Sequence, residues 1–587
     1  MYPPSKGRSP KWSKVLVVGV LCLGIFFRVV NLDKKVFWVD EVATALRVSG
    51  YTLEEMVSDL VDGPVKTLPQ IQKYQYPSPE KSLLDTATSL AAEDVHPPLF
   101  FSLLRFWVML FGNSVTALRS LAALFSILMF PAIWWLCREL FTSDRPQNTP
   151  SKQLRNPLPT NRSTLIGWTA VALLATSPAQ IVFAQESRQY TLWMLLILLA
   201  SASLLRSLKT RSRHAWALYS LCILLGLYTH YLFALIVASH ALYVLCTQQF
   251  KPTQNAIAYL LASAIAGIGY LPWLIFSQQF PTDTAQLDWA ANPPGPISMS
   301  VQVAGVLSRS FVDLGAGTID SSAAIFIVAP FLLLALSICL AALVSLVRQT
   351  PFRIWFFIAT LGGVTAAVIL GSYFILDTAI ATTRFVLPIA LSLQIAVAYL
   401  LVTGIQPTAR AFRKSFFHQH LNQAVLWRSL TGLLLSIGII SATLRVNEAL
   451  WWTQMPNFNQ HIPEIAQTIN QQPNALVIMD ASKNAPFFDV VQPQSLLHSI
   501  DRNAQVNLQI VEEAVPDLTT AKSESIFLYL PINASGMQGS PESLQTQMAD
   551  KYNVSLKPII PGTFWRISSA NATASATSHR DRSSPSP

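Results

Sequence analysis

The sequence predicts an α-helical polytopic membrane protein with about 11 transmembrane helices, a long first outer loop and a small outer α/β domain near the C-terminus. The chain has 587 residues, of which 51% are hydrophobic and only 12% are charged. A soluble protein would carry about 25% charged residues. Long apolar runs recur along the chain and account for this deficit. The first run follows a polar, basic start and has no small-residue cleavage site, so we expect it to be retained as a span.

The apolar runs that predict membrane spans have roughly the length needed to cross a bilayer. They lie near residues 15–32, 115–137, 164–183, 191–206, 215–229, 232–247, 256–277, 323–347, 354–375, 385–403 and 429–446. The segment Pro97–Gly112 is also apolar, but it is only about 16 residues long and contains Arg105. These two features favour an interfacial or re-entrant helix over a span.

The basic residues predict the orientation in the membrane. The net charge of +10 would suggest a nucleic-acid partner in a soluble protein, but here the Lys and Arg residues cluster in short loops between apolar runs. Such clusters face the cytoplasm. If Pro97–Gly112 does not span, all the basic segments fall on one side, and we expect no nucleic-acid partner. These segments lie near residues 6–14, 145–162, 209–213, 251, 348–353 and 410–414.

Four regions follow from this topology. Residues 1–14 form a cytoplasmic N-terminus, and residues 15–446 form a transmembrane domain whose first outer loop covers about residues 33–114. Residues 447–570 alternate a helix-like piece, Pro463–Gln471, with strand-like runs at Ala475–Met479 and Ile526–Leu530. This alternation predicts an extracytoplasmic α/β domain. Residues 571–587 are rich in Ser, Thr, Ala and Pro, which is typical of a disordered tail.

Two adjacent acids, Asp40 and Glu41, lie just outside the first predicted span. Ionisable groups close to the hydrocarbon are expensive, so a functional interpretation is the default. The structural alternative is that Asp40 caps a helix beginning at Val42. Trp38, two residues earlier, is expected to anchor at the membrane interface.

Further polar clusters are predicted on the same outer face, at the ends of other spans. Each has a structural alternative: Glu186 and Arg188 could simply pair, His96 could precede an ordinary helix start, and His230 could be a packing residue. Arg384 could be an interfacial arginine whose stem lies along apolar surface. The convergence of acids, histidines and arginines on one face favours function. The clusters are His96-Pro97-Pro98, Glu186-Ser187-Arg188-Gln189-Tyr190, His230-Tyr231 and Arg384.

This combination of residues suits group transfer from a lipid-linked phosphate donor. A carboxylate can take a proton from an acceptor hydroxyl or amine. Arginines can hold the phosphate and stabilise the charge that develops as it leaves. Neither a phosphate-binding P-loop nor a dinucleotide fingerprint occurs in the sequence, in agreement with a donor that needs no nucleotide.

The ordered set of motifs resembles the GT-C glycosyltransferase superfamily, in particular the branch of protein O-mannosyltransferases and lipid A aminoarabinose transferases. The resemblance covers about residues 10–405. Nothing in the chain matches the extra sugar-binding-like modules of the eukaryotic mannosyltransferases, and the C-terminal domain supports no assignment. The motifs are Trp38-Val39-Asp40-Glu41, His96-Pro97-Pro98-Leu99, Ala117-Leu118-Arg119, Gln185-Glu186-Ser187-Arg188-Gln189-Tyr190 and Arg384-Phe385-Val386-Leu387-Pro388.

The resemblance implies a multi-span fold, a polyprenyl-phosphate sugar donor, inversion at the sugar carbon and a catalytic acid in the first outer loop, which matches Asp40. Glu186 is the nearest match to a second acid, and Glu41 is expected to support Asp40. The sequence identifies no definite cofactor, and a divalent metal held by Asp40 and Glu186 is an open alternative. The expected substrate- and phosphate-binding residues are Arg188, Arg384, His96, Tyr190, His230 and Tyr231.

The expected function is therefore that of an inverting glycosyltransferase in a bacterial inner membrane, with its active site facing outside. Its partners would be the polyprenyl-phosphate sugar donor, an extracytoplasmic acceptor (a glycan, lipid or protein) and the lipid bilayer. A transporter or flippase of a lipid-linked saccharide is the main alternative. Transporters tend to show internal repeats and charged or Gly/Pro-broken helices at the midplane, and neither feature is strong in this sequence. The ionisable residues instead gather at the outer helix ends, which favours an enzyme. A non-catalytic assembly subunit is a third interpretation, in which Asp40 would be dispensable.

Overall fold

The computed structural model describes residues 11–93, 96–142, 160–280, 295–315, 322–375, 384–406, 420–451, 454–481, 490–501, 504–512, 518, 525–530, 547–548 and 550–569. The predicted tail 571–587 and the basic clusters near 145–155 and 410–414 lie outside these residues. The chain forms two compact units. The helical unit comprises Met1–Leu32, Asp94–Phe100 and Arg119–Glu448, and the sheet unit comprises Asp33–Glu93, Phe101–Leu118 and Ala449–Pro587.

The described helices account for most of the chain. In chain order they are α1 Lys11–Val29, α2 Val39–Ser49, α3 Leu53–Leu60, α4 Leu68–Gln72, α5 Leu83–Glu93, α6 Leu99–Phe111, α7 Val115–Phe141, α8 Thr160–Ala175, α9 Pro178–Ala184, α10 Tyr190–Thr210, α11 Arg213–Leu227, α12 Phe233–Thr247, α13 Gln254–Ser277, α14 Pro296–Arg309, α15 Ser322–Gln349, α16 Phe352–Ile375, α17 Leu387–Ile405, α18 His420–Asn447, α19 Pro456–Asn459 and α20 Ile462–Asn470.

The protein is a multi-pass membrane protein, as predicted. Among the described residues, 7 helices are long and apolar enough to cross a membrane, and α8 with α9 adds a bent pair. Each of the remaining predicted spans contains a shorter apolar helix: α1, α11 and α12. The total of about 11 spans therefore stays a prediction. The 7 segments are Val115–Phe141, Tyr190–Thr210, Gln254–Ser277, Ala329–Gln349, Phe352–Ile375, Leu387–Ile405 and Gln423–Asn447.

The predicted span at 164–183 is broken into α8 and α9, which meet at 64°. Pro178 begins α9, and proline has no N–H to donate to the carbonyl four residues earlier. The carbonyl that lacks this donor belongs to Leu174, and Arg28 of α1 donates to it at 2.9 Å. Arg28 also donates to Ser126 Oγ of α7 at 2.7 Å and is fully buried. One arginine thus supplies a donor at the break and joins three helices.

The sheet unit contains a six-stranded mixed sheet, in agreement with the predicted C-terminal α/β domain. The strand order is β1-β3-β2-β4-β6-β5. The two central pairs, β2 with β3 and β2 with β4, are parallel, and the outer pairs are antiparallel. The strands are β1 Lys66–Thr67, β2 Ala475–Asp480, β3 Val506–Val511, β4 Ser525–Tyr529, β5 Val554–Ile560 and β6 Phe564–Ser569.

The first loop contributes directly to this sheet. Its strand β1 pairs with β3, with Lys66 opposite Leu508. Val61 forms an isolated bridge with Ile510, and the N–H of Glu512 donates to Asp62 Oδ1 at 2.8 Å. The loop that the sequence analysis assigned to the transmembrane domain thus shares a compact unit with the C-terminal domain.

Helix α6 corresponds to the short apolar segment that contains Arg105. At 13 residues it is well short of the length that a span requires. Arg105 is buried in the sheet unit, where it donates to the carbonyls of Val48 at 2.7 Å and Ser49 at 3.1 Å. Met109 and Leu110 on the same helix are exposed. An apolar exposed face and a buried polar anchor are typical of a helix that lies in the membrane interface.

Candidate active site

Helix α2 of the sheet unit carries the two acids of the first loop. The helix begins at Val39, and Trp38 occupies the N-cap position without a side-chain hydrogen bond. Asp40 and Glu41 therefore lie inside the first helical turn, where negative charge interacts favourably with the helix dipole. The alternative in which Asp40 caps a helix beginning at Val42 is wrong, because the helix starts three residues earlier.

Burial sets these acids apart from ordinary surface carboxylates. Asp40 is 8% exposed and Glu41 is fully buried. Trp38 is also fully buried, so the prediction that it anchors at the membrane interface is wrong and it is a packing residue. An aromatic residue near a span can act as an anchor only if its side chain reaches the surface. Burying a carboxylate costs several kcal/mol unless it is paired or hydrogen-bonded. The protein therefore keeps two acids where packing alone would favour apolar residues.

The acid-bearing helix is fixed at both ends by the sheet unit. Before its N-terminus, the Phe37 ring lies 4.1 Å from the His498 ring of the C-terminal domain. Near its C-terminus, Arg47 forms a buried ion pair with Glu93 at 3.3 Å. Arg105 binds the last carbonyls of the helix, as described above. These contacts restrict the position of Asp40.

A charged cluster anchors the loop segments that follow α2. Asp59 lies 2.5 Å from Lys66 Nζ and 3.1 Å from Lys73 Nζ, and accepts a hydrogen bond from the Tyr74 hydroxyl at 2.6 Å. Partial burial raises the pKa of Asp59, but the hydrogen bonds from Lys66, Tyr74 and Lys73 outweigh it and lower the pKa to about 2. Burial raises the pKa of Tyr74, and the hydrogen bond to Asp59 raises it further. The cluster is thus held together by a charged carboxylate.

The second acid, Glu186, belongs to the turn that joins α9 to α10 in the helical unit. Gln185 fixes this turn, because its side-chain amide donates to the carbonyls of Phe27 at 2.9 Å and Val30 at 2.8 Å. The Arg188 N–H donates to the Glu186 carbonyl at 2.8 Å. Both Glu186 and Arg188 are buried, so the turn is part of the interior of the unit.

Two arginines of the helical unit meet at one tyrosine. Arg384 donates from Nη1 to the Tyr190 hydroxyl at 3.2 Å. The guanidinium carbons of Arg384 and Arg188 each lie 5.8 Å from the centre of the Tyr190 ring. Two guanidinium groups thus lie within cation–π distance of one ring.

An aromatic cluster surrounds His230 at the turn between α11 and α12. Its ring stacks on Trp193 at 4.6 Å and 20°. His96 and Phe385 approach it edge-on, with ring centres at 5.6 Å and 5.8 Å. The Tyr190 ring lies 6.3 Å away and joins this cluster to the arginine pair.

A backbone hydrogen bond determines the tautomer of His230. The N–H of Leu232 donates to His230 Nδ1 at 3.1 Å. In a neutral imidazole one ring nitrogen donates and the other accepts, so the proton lies on Nε2. The site therefore contains an imidazole N–H donor within an aromatic cluster.

Of the six predicted substrate- and phosphate-binding residues, the helical unit brings five together and separates one. The five are His96, Arg188, Tyr190, His230 and Arg384. Tyr231 contacts a different group, since its hydroxyl accepts a hydrogen bond from Trp273 Nε1 at 3.2 Å. Asp40 and Glu41 lie in the sheet unit.

The comparisons with known proteins identify the fold. Neither a family model nor a curated relative matches the chain. The solved structure of ArnT from Cupriavidus metallidurans in the apo state matches with a TM-score of 0.51 at 12% identity, covering 95% of this chain and 98% of that chain. The chain has the GT-C fold.

Two further solved structures match with TM-scores below 0.5. ArnT from C. metallidurans bound to undecaprenyl phosphate gives a TM-score of 0.49 at 13% identity, covering 95% of this chain and 98% of that chain. The archaeal oligosaccharyltransferase AglB from Archaeoglobus fulgidus, in complex with an inhibitory peptide and a dolichol-phosphate, gives 0.45 at 11% identity. That match covers 84% of this chain and 65% of AglB.

Within this GT-C fold, the sequence analysis missed several buried residues beside the predicted ones. Trp193 lies one helical turn after Tyr190, and Phe385 follows Arg384; both were inside or next to quoted motifs. The amides of Gln180 and Gln189 are buried, and neither has a hydrogen-bond partner among the described residues. A buried amide without a partner indicates contact with water or ligand. Gln189 could have been selected because it directly precedes Tyr190.

The described residues contain no group of three or more His, Cys, Asp or Glu side chains that could hold a metal ion. The donor set for the metal alternative consists only of Asp40 and Glu186, which belong to different units.

Proposed function

We propose that the protein is an inverting glycosyltransferase that moves a sugar from a polyprenyl-phosphate donor to an extracytoplasmic acceptor. The observation that carries the proposal is the meeting of Arg188 and Arg384 at Tyr190. The motifs that resemble GT-C enzymes and the GT-C fold of ArnT support it independently. We further propose that the protein lies in a bacterial inner membrane with this site facing outside, as the basic loops predict.

The arginine pair would hold the donor phosphate. A guanidinium presents a planar fork that matches phosphate oxygens, and the charge-assisted hydrogen bonds are roughly twice as strong as neutral ones. Tyr190 orients Arg384 through its hydroxyl. When the sugar leaves, negative charge develops on the phosphate, and positioned cations stabilise that charge.

The aromatic cluster would form the wall against which the sugar lies. Ligand sites are typically lined by aromatic side chains with a few placed polar groups. Trp193, Phe385 and His96 supply the apolar surface around His230. The Nε2 proton of His230 and the buried amide of Gln189 supply donors for sugar or phosphate oxygens.

Asp40 would act as the general base, with Glu41 in support and Glu186 as the second acid. The acceptor oxygen or nitrogen attacks the anomeric carbon while Asp40 takes its proton. The carbon–oxygen bond to phosphate breaks on the opposite face, and its electron pair stays on the phosphate. This single displacement inverts the sugar carbon and releases polyprenyl phosphate.

Mass spectrometry of lipid-linked sugars and envelope glycans tests this proposal in cells that carry the wild-type protein, the Asp40→Asn variant or neither. We expect loss of activity to leave one polyprenyl-phosphate sugar in excess and one envelope glycan lighter by the same sugar. Identical pools in all three strains would overturn the proposal. A donor pool that is trapped on the cytoplasmic face, with transfer intact in permeabilised membranes, would instead favour the flippase.

A further inference from the structure

A cavity of about 570 Å³ lies in the helical unit, where α7 and α10 end. It is lined by two indoles, Trp134 and Trp135, and by charged residues of both helices. The basic loops place these helix ends at the predicted cytoplasmic face. Its volume falls within the range of about 300–1,000 Å³ that is typical of small-molecule sites. The candidate active site does not include any of its residues.

Among the described residues that line the cavity, cations outnumber carboxylates. Arg138, Arg206 and Lys209 face one carboxylate, Glu139. Lys209 has a structural role, because it donates to the carbonyls of Glu139 and Thr142 at the C-terminus of α7. Such carbonyls carry partial negative charge that a lysine complements. The arginines supply the excess of positive charge.

The carboxylate is held in place by its neighbours. Glu139 accepts a hydrogen bond from Trp135 Nε1 at 3.1 Å and lies 3.6 Å from an Arg206 nitrogen and 3.8 Å from Lys209 Nζ. It therefore orients Arg206, whose side chain is 55% exposed. A guanidinium that is oriented at one nitrogen and otherwise accessible can bind a second anion through its remaining donors.

The second arginine is positioned by an indole. The Arg138 guanidinium carbon lies 4.9 Å from the centre of the Trp134 ring, within cation–π distance. The Trp134 ring packs closely against α8 at Gly167. A Cβ at that position would lie only 2.9 Å from Trp134 Cδ1, so the glycine leaves room for the ring. Trp134 and Trp135 lie in about the last two turns of the membrane helix α7, and tryptophan is enriched at the level of lipid head groups.

We propose that this cavity binds the head group of an anionic phospholipid. The two arginines would contact the phosphate, and the indoles would lie beside the glycerol backbone. Basic pockets between membrane helices at the cytoplasmic face bind acidic head groups in this manner. An ordinary pair of interfacial arginines would show neither the cavity nor the ordered Glu139 and Trp134 supports.

Native mass spectrometry of the detergent-purified full chain tests the proposal, with phosphatidylglycerol and phosphatidylcholine of the same acyl chains as probes. We expect preferential retention of phosphatidylglycerol. The Arg138→Gln/Arg206→Gln variant should retain it roughly 25-fold less, since each cation near an anionic lipid contributes about fivefold. Arg348→Gln is the matched control, because Arg348 is an exposed basic residue at the end of α15, on the same predicted face.

Single substitution guards against a folding defect. Arg206 is largely exposed, so Arg206→Gln should fold normally and weaken retention roughly fivefold. Equal retention of the two lipids, or wild-type retention in the double variant, would overturn the proposal. Millimolar sodium phosphate could displace the lipid and raise the thermal stability of the protein as much as the lipid does. That result would assign the cavity to a soluble anion and overturn the lipid assignment. None of these outcomes depends on sugar transfer, so they do not bear on the proposed glycosyltransferase.

Discussion

Arg384 and Tyr190 are 194 residues apart in the chain and meet at 3.2 Å through a guanidinium–hydroxyl hydrogen bond. The contact joins the residues just before α17 to the first residue of α10. It also brings Arg384 to the ring that Arg188 contacts, because both guanidinium carbons lie 5.8 Å from the ring centre. The contact thus brings two cationic side chains from distant parts of the chain to one aromatic ring.

The Arg384→Lys variant tests phosphate recognition. Lysine keeps the charge but loses the planar fork, so we expect donor use to weaken roughly tenfold or more. The measurement is the donor concentration that gives half-maximal transfer in membranes. Arg348→Lys, at an exposed position, should leave this concentration unchanged. Unaltered donor use in Arg384→Lys would return Arg384 to the role of an interfacial anchor.

The topology prediction places Lys152 and Arg211 in the cytoplasm, and Asp40, Glu186 and residues 447–587 outside, because the basic loops share one side. Reporter fusions at residues 155 and 460 measure it, with opposite sides expected. If both reporters give the same side, the motifs do not share a face and the proposed site is lost.

The low pKa of Asp59 predicts a specific pH dependence of stability. Its pKa is about 2 in the folded protein, against an ordinary value of 3.8. The charged form is therefore favoured by folding, and this contribution is fully present above about pH 4 and lost as the pH falls towards 2. Thermal unfolding of the purified protein at pH 5 and pH 3 should show the loss.

The Asp59→Asn variant should be less stable than wild type at pH 5 and closer to it at pH 3. Glu54→Gln, at an exposed carboxylate on the same helix, is the control and should not change the difference between the two pH values. An equal deficit of Asp59→Asn at both pH values would show that its charge does not stabilise the cluster.

The C-terminal domain is predicted to position the acid-bearing helix. His498 Nε2 lies 3.1 Å from Gln75 Oε1, and its ring packs against Phe37, just before α2. His498→Ala should therefore lower the maximal rate while leaving the donor concentration for half-maximal transfer unchanged, and should expose residues 33–93 to protease. His461→Ala, in the same domain, is the matched control. A rate loss of equal size in both variants would indicate a general defect instead.

The spans could be predicted from the sequence because their signal is local. An apolar run that is long enough to cross a bilayer has few stable structures other than a membrane-spanning helix. Helices α7, α10 and α17 fall close to the predicted runs. The strands β2 and β4 were likewise visible as short buried runs. Strand β1 was not, because it has only two residues and depends on a partner, Leu508, that is distant in the chain.

The candidate site could be predicted only as a set of residues. Motif order named Arg188, Tyr190 and Arg384, but no spacing along the chain encodes their contact at one ring. Trp38 was misjudged for the same reason, since an aromatic beside a span is equally compatible with an interface or an interior. The arginine–tyrosine contact and the burial of Trp38 both depend on tertiary packing, which a local sequence pattern does not encode.

The decisive variant is Asp40→Asn. Loss of a general base typically reduces the rate by ~10²–10⁴-fold. Because Asp40 lies inside the first turn of α2 and is not its N-cap, the substitution removes a charge without removing a cap. We therefore expect a folded, membrane-inserted protein without transfer. The measurement is sugar transfer in membranes at matched expression, with size-exclusion profiles to verify folding.

Glu54→Gln provides the matched control for that experiment. Glu54 is also an acid in the first turn of a helix of the sheet unit, but it is exposed. Glu54→Gln should keep the wild-type rate. The comparison then distinguishes the loss of a buried reactive carboxylate from the loss of a favourable charge at a helix N-terminus. A wild-type rate in Asp40→Asn would make this carboxylate dispensable, as expected for an assembly subunit, and would remove the general base from the proposed reaction.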